Sequence, residues 1–235
     1  MTDSKPGRRY IVAGCRPWNR AVFESAIAHY PGEWSFVSEK EELSASNVRR
    51  VDPRYIFFLH WSWLVPDEVV NNYECVCFHM TDLPYGRGGS PLQNLIIRGH
   101  AETKLTAFRM VPELDAGPIY CKESMSLKGS AGEIYRRASE LSAGMIKKIL
   151  QEEPVPIPQQ GEIVEFKRRR PDESRIERPE STMALHDFIR MLDAEGYPRA
   201  YLVHAGLRFE FSNSRLVNGK VEADVTIQTS DEDTL

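Results

Sequence analysis

The stretch Tyr55-Ile-Phe-Phe-Leu-His-Trp-Ser-Trp-Leu-Val-Pro-Asp-Glu-Val-Val-Asn-Asn-Tyr-Glu-Cys-Val-Cys-Phe-His79 holds two short apolar runs, Tyr55–Leu59 and Cys75–Phe78. Neither alternates with polar residues, so each reads as a strand covered on both faces. Arg9-Tyr-Ile-Val-Ala-Gly14 is a third run of the same kind, ended by glycine. Trp34–Val37, Lys104–Val111 and Ile119–Leu127 extend the series. Between them the spacing predicts a helix from Asn19 to Tyr30, with Val22, Phe23, Ala26 and Ile27 on one face. A second helix is expected from Ala131 to Gln151, where Ile134, Ala138, Leu141, Met145 and Ile149 recur at helical intervals. Strands separated by helices imply an α/β fold, Rossmann-like, with a mostly parallel sheet.

The composition shifts at Glu152-Glu-Pro-Val-Pro-Ile-Pro158, where three prolines in five residues exclude helix and suit an extended linker. This divides the chain into a first domain, residues 1–153, and a small C-terminal α+β appendage, residues 154–235, for acceptor binding or oligomerisation. The appendage begins with a short strand-like piece, Gly161–Lys167, and a basic cluster, Lys167–Arg170. A helix from Thr182 to Asp193 and hairpin-like segments at Ala200–His204, Leu207–Phe211 and Val221–Ile227 complete it. The tail from Ser230 to Leu235 reads as disordered.

In 235 residues, 41% are apolar and 27% charged, ordinary values for a folded protein. The 30 Lys+Arg against 34 Asp+Glu leave a net charge of −4, which argues against a nucleic-acid partner. No run approaches the roughly 18 apolar residues of a membrane span. The N-terminal residues have no apolar signal segment, so the expected location is cytoplasmic. The four cysteines, Cys15, Cys75, Cys77 and Cys121, fit neither a disulfide framework nor a zinc ribbon. Cys75 and Cys77 share a strand face, as a redox or metal pair or as two small buried residues. No second ligand pair has matching spacing, and no metal is expected.

The turn after the first strand, Gly14-Cys-Arg-Pro-Trp-Asn19, carries no dinucleotide fingerprint, and no Walker A pattern occurs anywhere. A site in an open α/β sheet then belongs at the carboxyl ends of strands. One such end leads into His79-Met-Thr-Asp-Leu-Pro-Tyr-Gly-Arg-Gly-Gly-Ser-Pro91, a polar loop suited to shaping around a ligand. Another leads into Glu113-Leu-Asp-Ala-Gly-Pro118. His79 alone reads as structural or catalytic, and Asp115 alone as an Asx-turn or a site carboxylate. Brought together, an imidazole and a carboxylate move protons near neutral pH, which supports an enzyme acting on a small molecule.

These residues carry a resemblance. The block Cys77–Gln93 resembles the signature of folate-dependent formyltransferases, with His79, Leu83, Pro84, Arg87-Gly88, Pro91 and Gln93 in register, and Asp115-Ala-Gly117 resembles the family's Asp-x-Gly. His100-Ala-Glu-Thr-Lys-Leu-Thr106 resembles the stretch between them. The resemblance runs from about Arg9 to Leu150. It implies transfer of a formyl group from N10-formyltetrahydrofolate, as co-substrate, to an amine, with no metal. His79 and Asp115 are then the catalytic pair. Pro84, Arg87, Gly88 and the stretch Val111, Pro112, Glu113, Leu114 and Asp115 would contact the folate. The family's Asn two residues before the histidine is Cys77 here, the position beside the oxyanion, and a thiol is a weaker donor than a carboxamide. Thr81-Asp82 replaces Ser-Leu, adding a carboxylate.

In the C-terminal third, Arg170-Pro-Asp-Glu-Ser174 and His186–Tyr201 resemble nucleotide-sugar N-formyltransferases, and the loop variant His79–Gln93 is similar to the branch of the pseudaminic acid type, which implies a UDP-linked amino sugar as acceptor. Thr81, Gln93, Arg190 and Tyr197 would then be substrate contacts, and a homodimer is the assembly to test. Same-class alternatives are an aminoacyl group on tRNA or a carrier protein; a different class is a binding protein without chemistry. Lys167–Arg170 reads as a solvated edge or a diphosphate site, and Tyr197 as packing or a base-stacking ring. Of Trp61 and Trp63, one is expected in the core and the other at the crevice.

Overall fold

Arg9–Ala13 (β1) buries Tyr10 through Ala13, both faces at once, as its unbroken apolar run requires. In this computed structural model, residues 7–230 are described. Gly14 closes the strand: a Cβ there would lie 2.7 Å from the Asn19 Cβ and 3.0 Å from the Leu59 carbonyl. Only glycine lets the next helix, Pro17–Ser25 (α1), start so close. The helix expected to reach Tyr30 breaks at Ala26, whose φ of −135° leaves the helical region, and a short 3-10 turn, Ile27–His29, follows.

The order continues Glu33–Val37 (β2), Ala45–Val51 (α2), Tyr55–Phe58 (β3), Asp67–Asn72 (α3) and Cys75–His79 (β4). Then come Tyr85–Gly88 (β5), Pro91–Ile97 (α4), Glu102–Arg109 (β6), Ile119–Ser126 (β7) and Ala131–Glu152 (α5). Val164–Phe166 (β8), Thr182–Arg190 (α6), Ala200–His204 (β9), Leu207–Val217 (β10) and Lys220–Thr229 (β11) complete the chain. Six strands form one sheet in the order β2-β1-β3-β4-β6-β7. β1 runs parallel to β2 and β3, and β3 to β4, while β6 pairs antiparallel with β4. The α/β class and mostly parallel sheet read from the sequence are the observed ones. β6 lies two residues earlier than expected: Met110 still donates its N–H to Cys75 at 2.8 Å, and beyond it Pro112 has no N–H to continue a ladder.

The chain forms two compact units. Within the described residues, the first comprises 7–88, Thr103–Met125 and Arg136–Glu165. One of its cores joins Ile11, Ala13, Val37, Leu43, Val48, Ile56, Phe58, Val69 and Cys75. Full burial of each large side chain is worth about 1.5–3 kcal/mol. Polar bonds fix α5 in the same unit: buried Asn19 donates to Ser139 Oγ at 3.0 Å, and Tyr30 donates to the Ala143 carbonyl at 3.1 Å. The proline run after α5 is extended, as expected, but pinned. Ile119 and Ile157 exchange two backbone bonds of 2.7 and 2.9 Å.

Within the described residues, the second unit comprises Gly89–Glu102, Ser126–Tyr135 and 166–230. Its sheet is antiparallel in the order β11-β10-β9, with α6 against β10. β10 and β11 outrun their expected lengths, because the polar Ser212-Asn-Ser214 masks a continuous strand whose register shifts between Ser212 and Arg215. The tail expected to be disordered lies, from Asp231 on, outside the described residues.

Candidate functional site

β4 ends at His79, and the ring is almost wholly buried. Its Nε2 lies 2.8 Å from the Gly86 carbonyl oxygen, which only accepts, so Nε2 carries the proton. In the neutral ring Nδ1 is then the nitrogen with the lone pair, and it faces Asp115 Oδ2 at 3.7 Å. That gap is too long for a hydrogen bond and short enough for a strong charge interaction once the ring is protonated. Asp115 Oδ2 also accepts the Gly88 N–H at 2.9 Å.

Local chemistry sets the loop that carries Asp115. Its φ of 52° is left-handed, a conformation that Asp tolerates better than most residues. Two residues on, a Cβ on Gly117 would fall 1.7 Å from the Arg109 carbonyl oxygen, so the backbone there closes only on glycine. The Arg87 guanidinium reaches the same loop, bonding Glu113 Oε1 at 3.2 Å and Gln159 Oε1 at 2.9 and 3.1 Å.

Cys77 lies on the same strand face as His79. Burial drives its thiol far above the usual range, and the Asp115 charge adds to the effect. Cys75 is a core residue whose thiol, pushed up to about 12 by burial, donates to the Val69 carbonyl at 3.8 Å. Neither is a thiolate at neutral pH. Among the described residues no group of three or more His, Cys, Asp or Glu could hold a metal.

The extra carboxylate, Asp82, is neutralised. Burial opposes its charge, but the Lys122 ammonium, hydrogen-bonded to it, and Lys104 at 3.5 Å together hold its carboxyl below the ordinary range. Lys122 also donates to the Leu83 carbonyl at 2.6 Å, just before buried Pro84. Pro112, Glu113 and Leu114 are exposed, Leu114 to 65%. Trp61 packs against the core, and Trp63 meets it edge-on and is 37% exposed; both follow β3 in a loop. A cavity of about 560 Å³ lies elsewhere in this unit, lined by Arg54, Tyr73, Glu74, Arg109, Val111 and Pro112 among others, without His79 or Asp115.

Of the four residues read as acceptor contacts, three hold polar bonds to the protein and the fourth a ring contact. Thr81 is buried and donates to the Gly86 carbonyl at 3.4 Å. Gln93 is buried in the second unit and donates to Tyr135 Oη and the Met191 carbonyl, both at 3.0 Å. Arg190 bonds Asp187 and the Leu127 and Gly129 carbonyls, and Tyr197 stacks on Tyr135 with centroids 5.2 Å apart. Sequence reasoning missed Gln159 and Lys122. Gln159 hides in a run legible only as proline-rich, and Lys122 in a strand whose alternation says nothing of its partner.

Comparison with known proteins adds the family. A model described as "Formyl transferase" matches residues 19–149, more than half of the chain. The chain belongs to the formyl transferase family. A second model, "Methionyl-tRNA formyltransferase, C-terminal domain", matches residues 171–228. The solved "Methionyl-tRNA formyltransferase from Clostridium thermocellum" is 42% identical, with a TM-score of 0.90 over 95% of this chain and 100% of that one. A methionyl-tRNA formyltransferase of Staphylococcus epidermidis is 31% identical over 93% of this chain and 71% of its own length. The chain spans 52 to 60% of the length of the first three curated relatives it matches. HypX from Aquifex aeolicus, solved in complex with tetrahydrofolic acid, is 17% identical with a TM-score of 0.72, over 88% of this chain and 37% of that one, a likeness of fold alone.

Two expectations for this formyl transferase need revision. Solved sugar N-formyltransferases match at only 15 to 17% identity and TM-scores of 0.60 to 0.67, so the resemblance to that branch extends to the fold alone. The acidic balance does not exclude a nucleic acid, since relatives at 31 and 42% identity are named for a tRNA. Whole-chain charge averages over local patches and is a poor guide to one face. For membranes, no helix among the described residues is long and apolar enough to cross one.

Proposed function

We propose that this chain transfers a formyl group from N10-formyltetrahydrofolate to the amine of an aminoacyl group, methionyl in the first instance, carried on tRNA. The observation that carries the acceptor is the 42% identity and 0.90 TM-score to the Clostridium thermocellum protein over essentially both chains. The match of residues 171–228 to a methionyl-tRNA formyltransferase C-terminal domain supports it.

The folate supplies the activated formyl carbon. Exposed Leu114 and the backbone of Val111–Leu114 offer apolar surface and carbonyl and amide groups suited to a flat bicyclic ring. The amine nitrogen bonds to the formyl carbon, the bond from that carbon to N10 breaks, and one proton passes from the amine to N10. His79 Nδ1 accepts that proton through its lone pair and returns it. Asp115 stabilises the imidazolium formed in between, at 3.7 Å, and its hold on Gly88 keeps it in place. Cys77, protonated, offers the formyl oxygen a weak donor where a carboxamide would offer a stronger one.

Incubation with N10-formyltetrahydrofolate and either methionyl-tRNA or a panel of UDP-amino sugars tests the reading. Formylmethionine released from the tRNA by mild hydrolysis is the expected product. A formylated sugar with unmodified methionyl-tRNA would overturn it.

A further inference from the structure

A carboxamide has two donors and an oxygen that accepts twice, and Gln159 uses all four. Its Nε2 donates to the Asp115 carbonyl at 2.7 Å and the Gly117 carbonyl at 2.9 Å. Its Oε1 accepts from Arg87 Nε at 3.1 Å and from the guanidinium's terminal nitrogen at 2.9 Å. The partners fix which end is which, since guanidinium only donates and carbonyls only accept. The half-buried side chain is itself anchored, because Ile157, two residues back, is bonded twice to Ile119. Pro158 between them restricts the backbone further. The residues brought together are the left-handed Asp115, the closely packed Gly117 and Arg87 of β5, one residue before the Gly88 that holds the Asp115 carboxylate.

We propose that Gln159 is a positioning residue for formyl transfer: it ties the Asp115–Gly117 backbone to Arg87 and so holds the Asp115 carboxylate at its working distance from His79. This rests on the roles given above to His79 and Asp115. An unclamped loop keeps its carboxylate but spreads its position, and a misplacement of about 1 Å can cost of order 10²-fold in rate. The effect therefore belongs in kcat rather than in the KM for tRNA.

Two substitutions separate the parts of the clamp. Gln159→Met keeps the volume and removes all four bonds. Gln159→Glu keeps the acceptor for Arg87, loses both donors and sets a carboxylate against two carbonyls. Both are expected to lower kcat by about 10- to 100-fold, with the tRNA KM within about twofold. In an Asp115→Asn background, Gln159→Met is expected to cost less than about threefold more, because a residue acting through Asp115 has nothing left to position. A purely structural role predicts the full cost in both backgrounds, and that result would overturn the proposal. Hydrogen exchange gives a readout that needs no substrate. The Gly88 amide should exchange at least about tenfold faster in Gln159→Met, while Cys77 and Phe78 in β4 keep their protection. Unchanged Gly88 protection would sink the clamp. If the wild-type chain formylates no methionyl-tRNA, the acceptor reading falls, and the exchange result decides the clamp by itself.

Discussion

The Gly88 N–H donates at 2.9 Å to Oδ2 of Asp115, the same oxygen that stands 3.7 Å from His79 Nδ1. The carboxylate is thus anchored by a backbone donor and only faces the imidazole. In the proposed transfer, an anchored carboxylate can face an imidazolium formed on the way without being tied to it by a hydrogen bond. Asp115→Asn keeps the shape and removes the charge. It should lower kcat for formyl transfer by about 10²-fold or more, with a thermal midpoint within a few degrees of wild type. Single-turnover formylation and thermal denaturation check both halves; near-normal turnover would remove Asp115 from the mechanism.

The strands of this fold are legible because buried strands have no polar residues to hide among. Tyr55–Leu59 and Cys75–Phe78 could be little else. Helices α2, α3 and α4 are six or seven residues long, less than two turns, so they present no helical period to read. At the site, His79 and Asp115 stand out through the spacing of a motif. Gln159 does not, because its role depends on a chain return that places it over a loop more than forty residues earlier. Gln93, Arg190 and Tyr197 are instructive in the opposite sense. Their chemistry suits a ligand; within their own unit Gln93 and Arg190 hold hydrogen bonds to the protein and Tyr197 stacks on Tyr135, contacts that residue type alone does not reveal.

The protonated state of Cys77, half-buried in β4, gives a chemical expectation. Iodoacetamide at pH 8 should label neither Cys75 nor Cys77 in the folded protein, since only the thiolate reacts at a useful rate. Cys15, half-buried beside Ser62 at 3.3 Å, serves as the accessible comparison. Peptide mapping by mass reads the result. Rapid labelling of Cys77, or a formyl adduct on it, would turn the direct-transfer scheme into a covalent one.

Gly117→Ala tests the backbone rather than the chemistry. The added Cβ falls on the Arg109 carbonyl oxygen, a main-chain atom whose residue also donates its own N–H to the Pro118 carbonyl at 2.9 Å. Neither partner can move without opening the connection between β6 and β7. The expected loss is about 1–3 kcal/mol of stability, read as a lower urea midpoint, together with loss of formyl transfer. A variant of unchanged stability would show that the loop relaxes freely.

His60, in the left-handed region after β3 and edge-on to Trp18, supplies a pH dependence. Burial, with the nearby Arg16 charge adding, holds its pKa down at about 3 against 6.5 ordinarily. Between those values the unfolded chain binds a proton that the folded chain refuses, so stability falls as pH drops through the window. Burial lowers His186 as well, with the same sign. The comparison that isolates His60 is wild type against His60→Gln, melted from pH 7 to pH 4.5. The wild type should lose more stability over that range than the variant, and parallel curves would show that His60 is protonated in the fold.

The acceptor reading makes a last demand, on electrostatics. A chain of net charge −4 that binds tRNA must do so through a local cationic face, because the average field repels the ligand. Lys167, Arg168 and Arg170 are exposed within four residues of one another, whereas Arg169 is taken up by the Glu173 carbonyl and the Phe188 ring. The three exposed cations can meet phosphates, and each phosphate paired releases counterions. The triple substitution Lys167→Ala, Arg168→Ala, Arg170→Ala should therefore raise the KM for methionyl-tRNA and leave kcat within about twofold. The slope of log affinity against log salt should become shallower by about 0.7 to 0.9 for every cation–phosphate pair that the substitutions remove. Titrations of tRNA binding at several salt concentrations measure that slope. An unaltered slope would place the tRNA backbone on another face of the protein, and a fall in kcat at unchanged KM would tie the cluster to the chemistry instead.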